Sequence, residues 1–293
     1  MIFGENLEKQ YINVAKNINI ALCTKGDGPP LLLLHGYPQT GYIWHKIAPL
    51  LAKDFTVVVA DLRGYGDSDK PPTSADHAVY SKRAMATDMI AAMAALGHQR
   101  FFVAGHDRGG RVAHRLARDY PQSVKKLAVL DIAPTAMMYD TTDMKFTTSY
   151  YHWFFLIQPA PFPETLIGHD PKFFLESKMR HWGNNRSAIT DDAFDEYLRC
   201  FSNPDTIHAS CEDYRASASI DLEHDAADAG QKLDIPLLVL WGATAMVGNK
   251  YDMLAAWREV AVDVSGFSVP GGHYLPEESP DETYQALLNF FTT

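Results

Sequence analysis

The sequence is short of cysteine, and the few it has are not arranged for chemistry. Cys23, Cys200 and Cys211 are three among 293 residues. The number is odd, and no C-x-x-C pair or Cys/His cluster occurs, so they read as reduced thiols of a cytoplasmic protein. Basic runs are also missing. Lys and Arg total 26 against 36 Asp and Glu, giving 26 − 36 = −10, which argues against nucleic acid as a partner. No apolar stretch reaches membrane-spanning length, so no membrane is expected. The opening Met1-Ile2-Phe3-Gly4-Glu5-Asn6 has neither a basic n-region nor an apolar h-region, so no secretory leader is expected. Internal repeats and low-complexity segments are absent too. What remains is 293 residues with 46% apolar content, enough core for one large domain or one domain with an insertion.

The chain is organised around Val103-Ala104-Gly105-His106-Asp107-Arg108-Gly109-Gly110-Arg111. The apolar run Phe101–Ala104 predicts a buried strand. Val112, Ala113, Leu116 and Ala117 recur at helical spacing until Pro121. Between them lies small-x-x-x-small, the pattern of a nucleophile elbow, in which a strained turn lifts the central side chain above a sheet. The centre here is Asp107 in place of the usual serine. A serine attacks carbonyl carbon, whereas a carboxylate attacks saturated carbon and leaves an alkyl-enzyme ester.

In chain order, Tyr11–Leu22 alternates as an edge hairpin with a turn at Asn17. Leu31–Leu34 and Phe55–Ala60 read as strands buried on both faces of a parallel sheet. The first ends in His35-Gly36-Tyr37-Pro38, whose Tyr37 N–H, with that of Arg108, would form an oxyanion hole. The His35 side chain itself is read as structural. A helix is expected around Trp44–Leu51. The loop Asp61–Ser68 is read as held by its own Asp-to-backbone bonds. Tyr80–Leu96 reads as a helix whose Met85, Met89 and Met93 pack into the core. Leu127–Leu130 is a strand ending at Asp131. From there to about Asp221 the chain turns rich in aromatics, Pro and His. Helical pieces are expected at Thr148–Ile157, Pro171–Trp182, Asp191–Phe201 and Pro204–Ala218. The sheet resumes at Leu237–Gly242. A helix near Met253–Val260, a strand at Phe267–Val269, Gly271-Gly272-His273 and a helix over Pro280–Phe291 follow. The expected organisation is a mostly parallel eight-stranded α/β core over residues 1–137 and 222–293, with a helical cap over 138–221.

An aspartyl ester needs a base to activate water. His273, after the last strand, stands where the nucleophile–acid–histidine order of such a fold places one. No carboxylate follows Trp241-Gly242 until Asp252, so Asp131 is the orienting acid by elimination. Arg108, directly after Asp107, and Arg111, about one helical turn from it, would keep Asp107 ionised and form a fork for a substrate carboxylate. The structural alternative is salt bridges to core acids. A leaving halide needs donors, and His152 and Trp153 at the start of the cap, with Tyr214 near its end, could supply them. Lys178, Arg180 and Trp182 are candidates for the cap's lip, with an exposed helix face as the alternative. The loop Ala243–Tyr251 carries no assignment.

On Gly-His-Asp-Arg-Gly-Gly-Arg (105–111), Leu-Asp-Ile-Ala-Pro-Thr (130–135), Tyr-His-Trp-Phe-Phe (151–155), Cys-Glu-Asp-Tyr-Arg-Ala (211–216) and Gly-Gly-His (271–273), the chain resembles the fluoroacetate dehalogenases. They are the haloacetate branch of the α/β-hydrolase fold. The resemblance implies Asp107 as nucleophile, His273 as base and Asp131 as acid. It implies Arg108 and Arg111 on the substrate carboxylate, and His152, Trp153 and Tyr214 on the halide. It further implies a homodimer, a small anionic haloacid as substrate, and no cofactor or metal. The rival is an epoxide hydrolase, which would use cap tyrosines among Tyr150, Tyr151, Tyr197 and Tyr214. An uncharged epoxide does not need the arginine pair. A non-catalytic acid-binding receptor is the third reading, disfavoured because all three triad members are present.

Overall fold

The computed structural model describes residues 9–183 and 187–293. Its eight strands are β1 (Gln10–Ala15), β2 (Ile18–Lys25), β3 (Pro30–Leu34), β4 (Thr56–Ala60), β5 (Phe101–His106), β6 (Val124–Leu130), β7 (Leu237–Gly242) and β8 (Val264–Val269). They form one sheet in the order β1-β2-β4-β3-β5-β6-β7-β8. The β1–β2 hairpin turns at Asn17 in the left-handed region and pairs antiparallel, as β2 does with β4. Every later pairing is parallel. This is the mostly parallel α/β sheet expected from the sequence.

The unbroken leucine run of β3 is explained by the two-residue period of a strand. Leu32 and Leu34 face one layer, with Met85, Met89 and Met93. Leu31 and Leu33 face the other, with Trp44, Leu51 and Phe291. The methionines belong to α2 (Lys82–Ala95), capped by the Ser81 side chain on the Ala84 N–H. Ahead of it, the single helix expected around Trp44–Leu51 is instead a 3-10 turn, Gly41–Trp44, followed by α1 (Ala48–Leu51). Pro49 sits in the first turn of α1, where its missing N–H costs nothing, and so starts a new helix.

After α3 (Arg108–Asp119) and β6, the chain leaves the sheet for a run of helices. They are α4 (Thr135–Asp140), α5 (Met144–Ser149), α6 (Tyr151–Phe155), α7 (Phe162–His169), α8 (Pro171–Trp182), α9 (Asp191–Phe201), α10 (Pro204–Ser217) and α11 (Ile220–Ala227). The helix expected over Thr148–Ile157 is broken at Tyr150, which ends α5 and begins α6. That break turns His152 and Trp153 into the interior, where both are buried. The remaining helices, α12 (Met246–Lys250), α13 (Met253–Arg258), α14 (Leu275–Glu278) and α15 (Pro280–Thr292), accompany the last two strands.

The C-terminal ends of the parallel strands carry the polar residues. His35 follows β3, Asp61 follows β4, Asp107 follows β5 and Asp131 follows β6, the edge where α/β sheets bind ligands. Asp61 is committed to structure, as expected. Its carboxylate accepts the Gly41 N–H at 2.8 Å and the Asp67 N–H at 3.0 Å.

The turn between β5 and α3 holds Asp107 at φ 48° and ψ −118°, a conformation that costs an L-residue on the order of 1–3 kcal/mol. The surrounding glycines permit it. A Cβ on Gly109 would stand 2.3 Å from the His35 carbonyl oxygen and 2.7 Å from the Leu34 carbonyl carbon, both main-chain atoms. Gly109→Ala is therefore expected to lower stability by about 1–3 kcal/mol, read as a lower urea midpoint at unchanged m-value. A midpoint equal to the parent's would mean that β3 can withdraw and the packing is not tight.

Candidate active site

Asp107 is buried, and its Oδ1 accepts the Tyr37 N–H at 2.8 Å. The loop after β3 comes this close because residue 36 has no side chain: a Cβ on Gly36 would lie 2.4 Å from that of Asp107. The Arg108 N–H makes no such bond to the carboxylate among the described residues. Burial by itself would raise the Asp107 carboxyl. The charges of His273, Arg108 and Arg111 outweigh it and hold the group below its ordinary value.

Asp131, the last residue before the chain leaves the sheet, also has positive φ, at 54°. Its Oδ1 accepts the Gly242 N–H at 3.0 Å from the end of β7, and its Oδ2 meets His273 Nδ1 at 2.6 Å. Nδ1–H is thereby the donor to Asp131. Nε2, on the opposite side of the ring, lies 3.8 Å from Asp107 Oδ2. Burial works against charge on His273, yet the bond and charge of Asp131, with Asp107 behind, raise its pKa. The structure thus brings together Asp107, His273 and Asp131, which are 24 to 166 residues apart in sequence (131 − 107 and 273 − 107).

His106 does something the sequence did not suggest. Its Nε2 donates to the His273 carbonyl oxygen at 2.8 Å, and burial pushes its pKa down to about 3. It is a neutral ring that pins the backbone of His273. Alternation along β5 was the available signal, because a residue next to the nucleophile must point to another side. His35 is structural, as read: its Nε2 accepts the Leu62 N–H at 3.0 Å, and its Nδ1 donates to the Gly36 carbonyl at 2.9 Å.

The two arginines differ. Arg108 is fully buried, and its fork is taken by Asp213 of α10, with Nε on Oδ2 at 2.8 Å and Nη2 on Oδ1 at 2.7 Å. Its guanidinium stacks 4.1 Å over the Tyr214 ring, and Nη1 has no hydrogen-bond partner. Arg111 forms no ion pair among the described residues. It donates to the Ala133 carbonyl at 3.1 Å and Thr135 Oγ1 at 2.7 Å, lies 4.8 Å over Trp153, and leaves Nε unpartnered. Asp213 was missed because a residue 105 positions downstream meets Arg108 only in the folded chain.

His152, Trp153 and Tyr214 converge, all buried. The Tyr214 ring centre is 5.5 Å from that of His152, 6.3 Å from Trp153 and 5.2 Å from Tyr37. Trp153 Nε1, Tyr214 OH and Tyr37 OH are buried without a hydrogen-bond partner. Each unpaired buried donor costs about 1–3 kcal/mol, so a cluster of them is suited to an anion or another acceptor. Trp182 packs between His152 and His273, with ring centres 4.4 and 5.6 Å away.

A cleft of about 710 Å³ reaches Asp131 and His273 and is lined by Tyr150, Trp182, Asn249 and Lys250. The loop that sequence could not place therefore forms one wall. Of the lip candidates, Trp182 lines the cleft. Lys178 does not: it is buried, with Nζ 3.2 Å from the Tyr151 ring centre, and burial lowers its pKa to about 7. The side chain of Arg180 lies outside the described residues. No group of metal-ligating side chains occurs among the described residues, and no helix there is long and apolar enough to cross a membrane.

One buried carboxyl ties three parts of the site together. Glu277, on α14 just after His273, accepts the Gln39 side-chain N–H at 2.6 Å from the Tyr37 loop and the Tyr197 hydroxyl at 3.0 Å from α9.

A model of the α/β-hydrolase fold matches residues 29–280. A fluoroacetate dehalogenase from a Burkholderia species is 43% identical over 289 residues, 98% of this chain and 95% of that protein. A soluble epoxide hydrolase from Corynebacterium sp. strain C12 is 37% identical over 272 residues, 92% of each. Among solved structures, a protein from Nostoc sp. PCC 7120 provisionally assigned as an α/β hydrolase superposes with a TM-score of 0.97 at 58% identity. It covers 100% of this chain and 99% of its own.

Glu277 makes stability depend on pH. Burial raises its pKa from 4.5 to about 8, against the opposing bonds from Tyr197 and Gln39. Between those values the folded chain holds a proton that the unfolded chain has lost, so this group's stabilising contribution falls as pH rises from 4.5 to about 8. Glu277→Gln is expected to remove that slope, gaining Tm relative to the parent at pH 8.5 over pH 5. A parent-minus-variant difference that stays constant across the range would mean that Glu277 is ionised throughout.

Proposed function

From the premise that the chain belongs to the α/β-hydrolase family, and to its haloacetate-dehalogenase-like members, we propose that it hydrolyses short 2-haloacids, fluoroacetate foremost. The observation that carries this reading is Arg111: a buried guanidinium with no carboxylate partner among the described residues, one helical turn from a buried aspartate nucleophile. A carboxylate on the substrate would supply the missing counter-charge. A neutral haloalkane would leave it uncompensated.

In the proposed first step, Oδ2 of Asp107 attacks the halogen-bearing carbon. A C–O bond forms, the carbon–halogen bond breaks, and halide leaves toward His152, Trp153 and Tyr214. Fluoride is strongly hydrated, so leaving into a dry pocket requires donors already in position; the unpartnered Trp153 Nε1 and Tyr214 OH suit that need. Oδ1 stays on the Tyr37 N–H.

Esterification changes His273. Asp107 is one of the carboxylates that raise its pKa, and the ester group that replaces it carries no charge. The ring then gives up its proton more readily and serves as base in the second step. It takes a proton from water as the water oxygen adds to the ester carbonyl carbon. The oxyanion forms against the Tyr37 N–H, with the Arg108 N–H turning in as the second donor. Collapse breaks the C–O bond to the leaving glycolate oxygen, which takes the second proton of the added water. Asp107 is restored as a carboxylate, and Asp131 holds the imidazolium until its proton leaves. The products are glycolate, halide and one proton. The reading carries with it a homodimer, from the family resemblance, and a cytoplasmic location, from thiols that are all free and buried.

An epoxide hydrolase is the second reading, favoured by the unpartnered Tyr214 hydroxyl, which could protonate an epoxide oxygen. Ion-selective detection of fluoride from fluoroacetate, beside chloride from chloroacetate, separates the two. Fluoride release abolished by Asp107→Asn is the expected result. Release of neither halide, with turnover of an epoxide, would replace the reading. His273→Asn is expected to give one equivalent of halide and then stop, with the protein heavier by one carboxymethyl group in mass spectrometry. Steady turnover by that variant would remove His273 from the hydrolytic step.

A further inference from the structure

We propose that Asp213 is a positioning residue for this reaction: by occupying the Arg108 fork it keeps that guanidinium off the nucleophile and leaves one nitrogen, Nη1, for the substrate carboxylate. The proposal rests on the haloacid reading above.

Asp213 sits fully buried on α10. Arg108 grips it through Nε, through Nη2 and again through Nη2 to its main-chain carbonyl at 2.8 Å. Tyr65 donates its hydroxyl to Oδ2 at 2.6 Å. Lys82 at the start of α2 pairs with Oδ1 and, at 3.2 Å, with Asp221 of α11. The four charges, Arg108 and Lys82 against Asp213 and Asp221, sum to zero. Arg108 is therefore neutralised before any substrate arrives, and Arg111 alone brings uncompensated positive charge to the site.

The consequence falls on Asp107. Its Oδ1 is held by the Tyr37 N–H, so Oδ2 is the oxygen left to attack. Arg108 follows Asp107 directly in the chain, and its charge reaches that carboxylate. A buried arginine without a counter-ion pairs with a nearby carboxylate, because an unpaired buried charge is the costlier state. Without Asp213 that carboxylate is Asp107, and a bidentate pair would take the attacking oxygen. With Asp213 in place, the planar fork is already filled. The Tyr214 ring, stacked on the same guanidinium, keeps its hydroxyl in the halide cluster. One carboxylate thus sets both the nucleophile's freedom and the placement of a halide donor.

The test is kcat and KM for chloroacetate with Asp213→Asn, Tyr65→Phe and the double variant Asp213→Asn/Arg108→Met, and a crystal structure of the Asp213→Asn apoprotein. Asp213→Asn is expected to lower kcat by about 100-fold, the scale of one strong charge-assisted bond, with KM shifted far less. Tyr65→Phe, which removes one bond and no charge, is expected to lower kcat several-fold in the same split. In the double variant kcat should recover above the single variant while KM rises, which mere loosening of the fold would not produce. In the crystal structure Arg108 should lie on Asp107. Unchanged kcat in Asp213→Asn, or no recovery in the double variant, overturns the proposal. If Asp213→Asn does not fold, unchanged kcat in Tyr65→Phe overturns it. Should the parent enzyme release no halide, the haloacid reading fails, and the position of Arg108 in the crystal structure still decides the guanidinium's role: on Asp107 it stands, elsewhere it falls.

Discussion

A carboxylate buried at a strained turn must remain ionised, and the rest of the site answers to that requirement. Taking an unpaired charge out of water costs far more than a domain's net stability can absorb. Around Asp107 the cost is offset by a backbone N–H at 2.8 Å and by the charges of His273, Arg108 and Arg111. The same groups then have chemical uses. In the proposed reaction the N–H is half of an oxyanion site, the histidine is the base, and a guanidinium is the handle for an acidic substrate. Burial that would neutralise an ordinary aspartate leaves this one ionised and poorly hydrated, as the proposed nucleophilic role requires.

The helical layer over the sheet takes part in this electrostatic arrangement. Its α10 helix delivers Asp213 to Arg108 and Lys82, and α11 delivers Asp221 to Lys82. Glu277 makes a second tie, between the Tyr37 loop, α9 and the helix that follows His273. Buried ion pairs are weak sources of stability, because desolvation consumes most of the attraction. Their value here is geometric: they join the layer to Arg108, next to Asp107, and to Lys82 at the start of α2.

The donors divide into committed and uncommitted. His35, His106 and Asp61 each bond to the backbone and hold a loop in place. Trp153, Tyr214 and Tyr37 are buried with a donor apiece and no protein partner. Folding usually pairs such groups, and leaving three together is tolerable where a ligand takes up the bonds.

The sequence by itself determined what depends on local order. The strand–turn–helix around Asp107 was legible because small residues must flank a bend that a Cβ would block, and Gly105, Gly109 and Gly110 supply them. The parallel strands were legible because burial on both faces demands apolar runs such as Leu31–Leu34. Asp131 and His273 followed from chain order along such a sheet. Local pattern failed where tertiary contacts outrank it. The break at Tyr150 separates two helices that periodicity joins, and the residues after it, His152 and Trp153, are buried against rings from distant helices, Trp182 and Tyr214. The pinning of His273 by His106 spans 167 residues, and the capture of Arg108 by Asp213 spans 105. Two arginines three residues apart on one helix read alike in sequence. Only the folded chain, by bringing a carboxylate to one and none to the other, made them different.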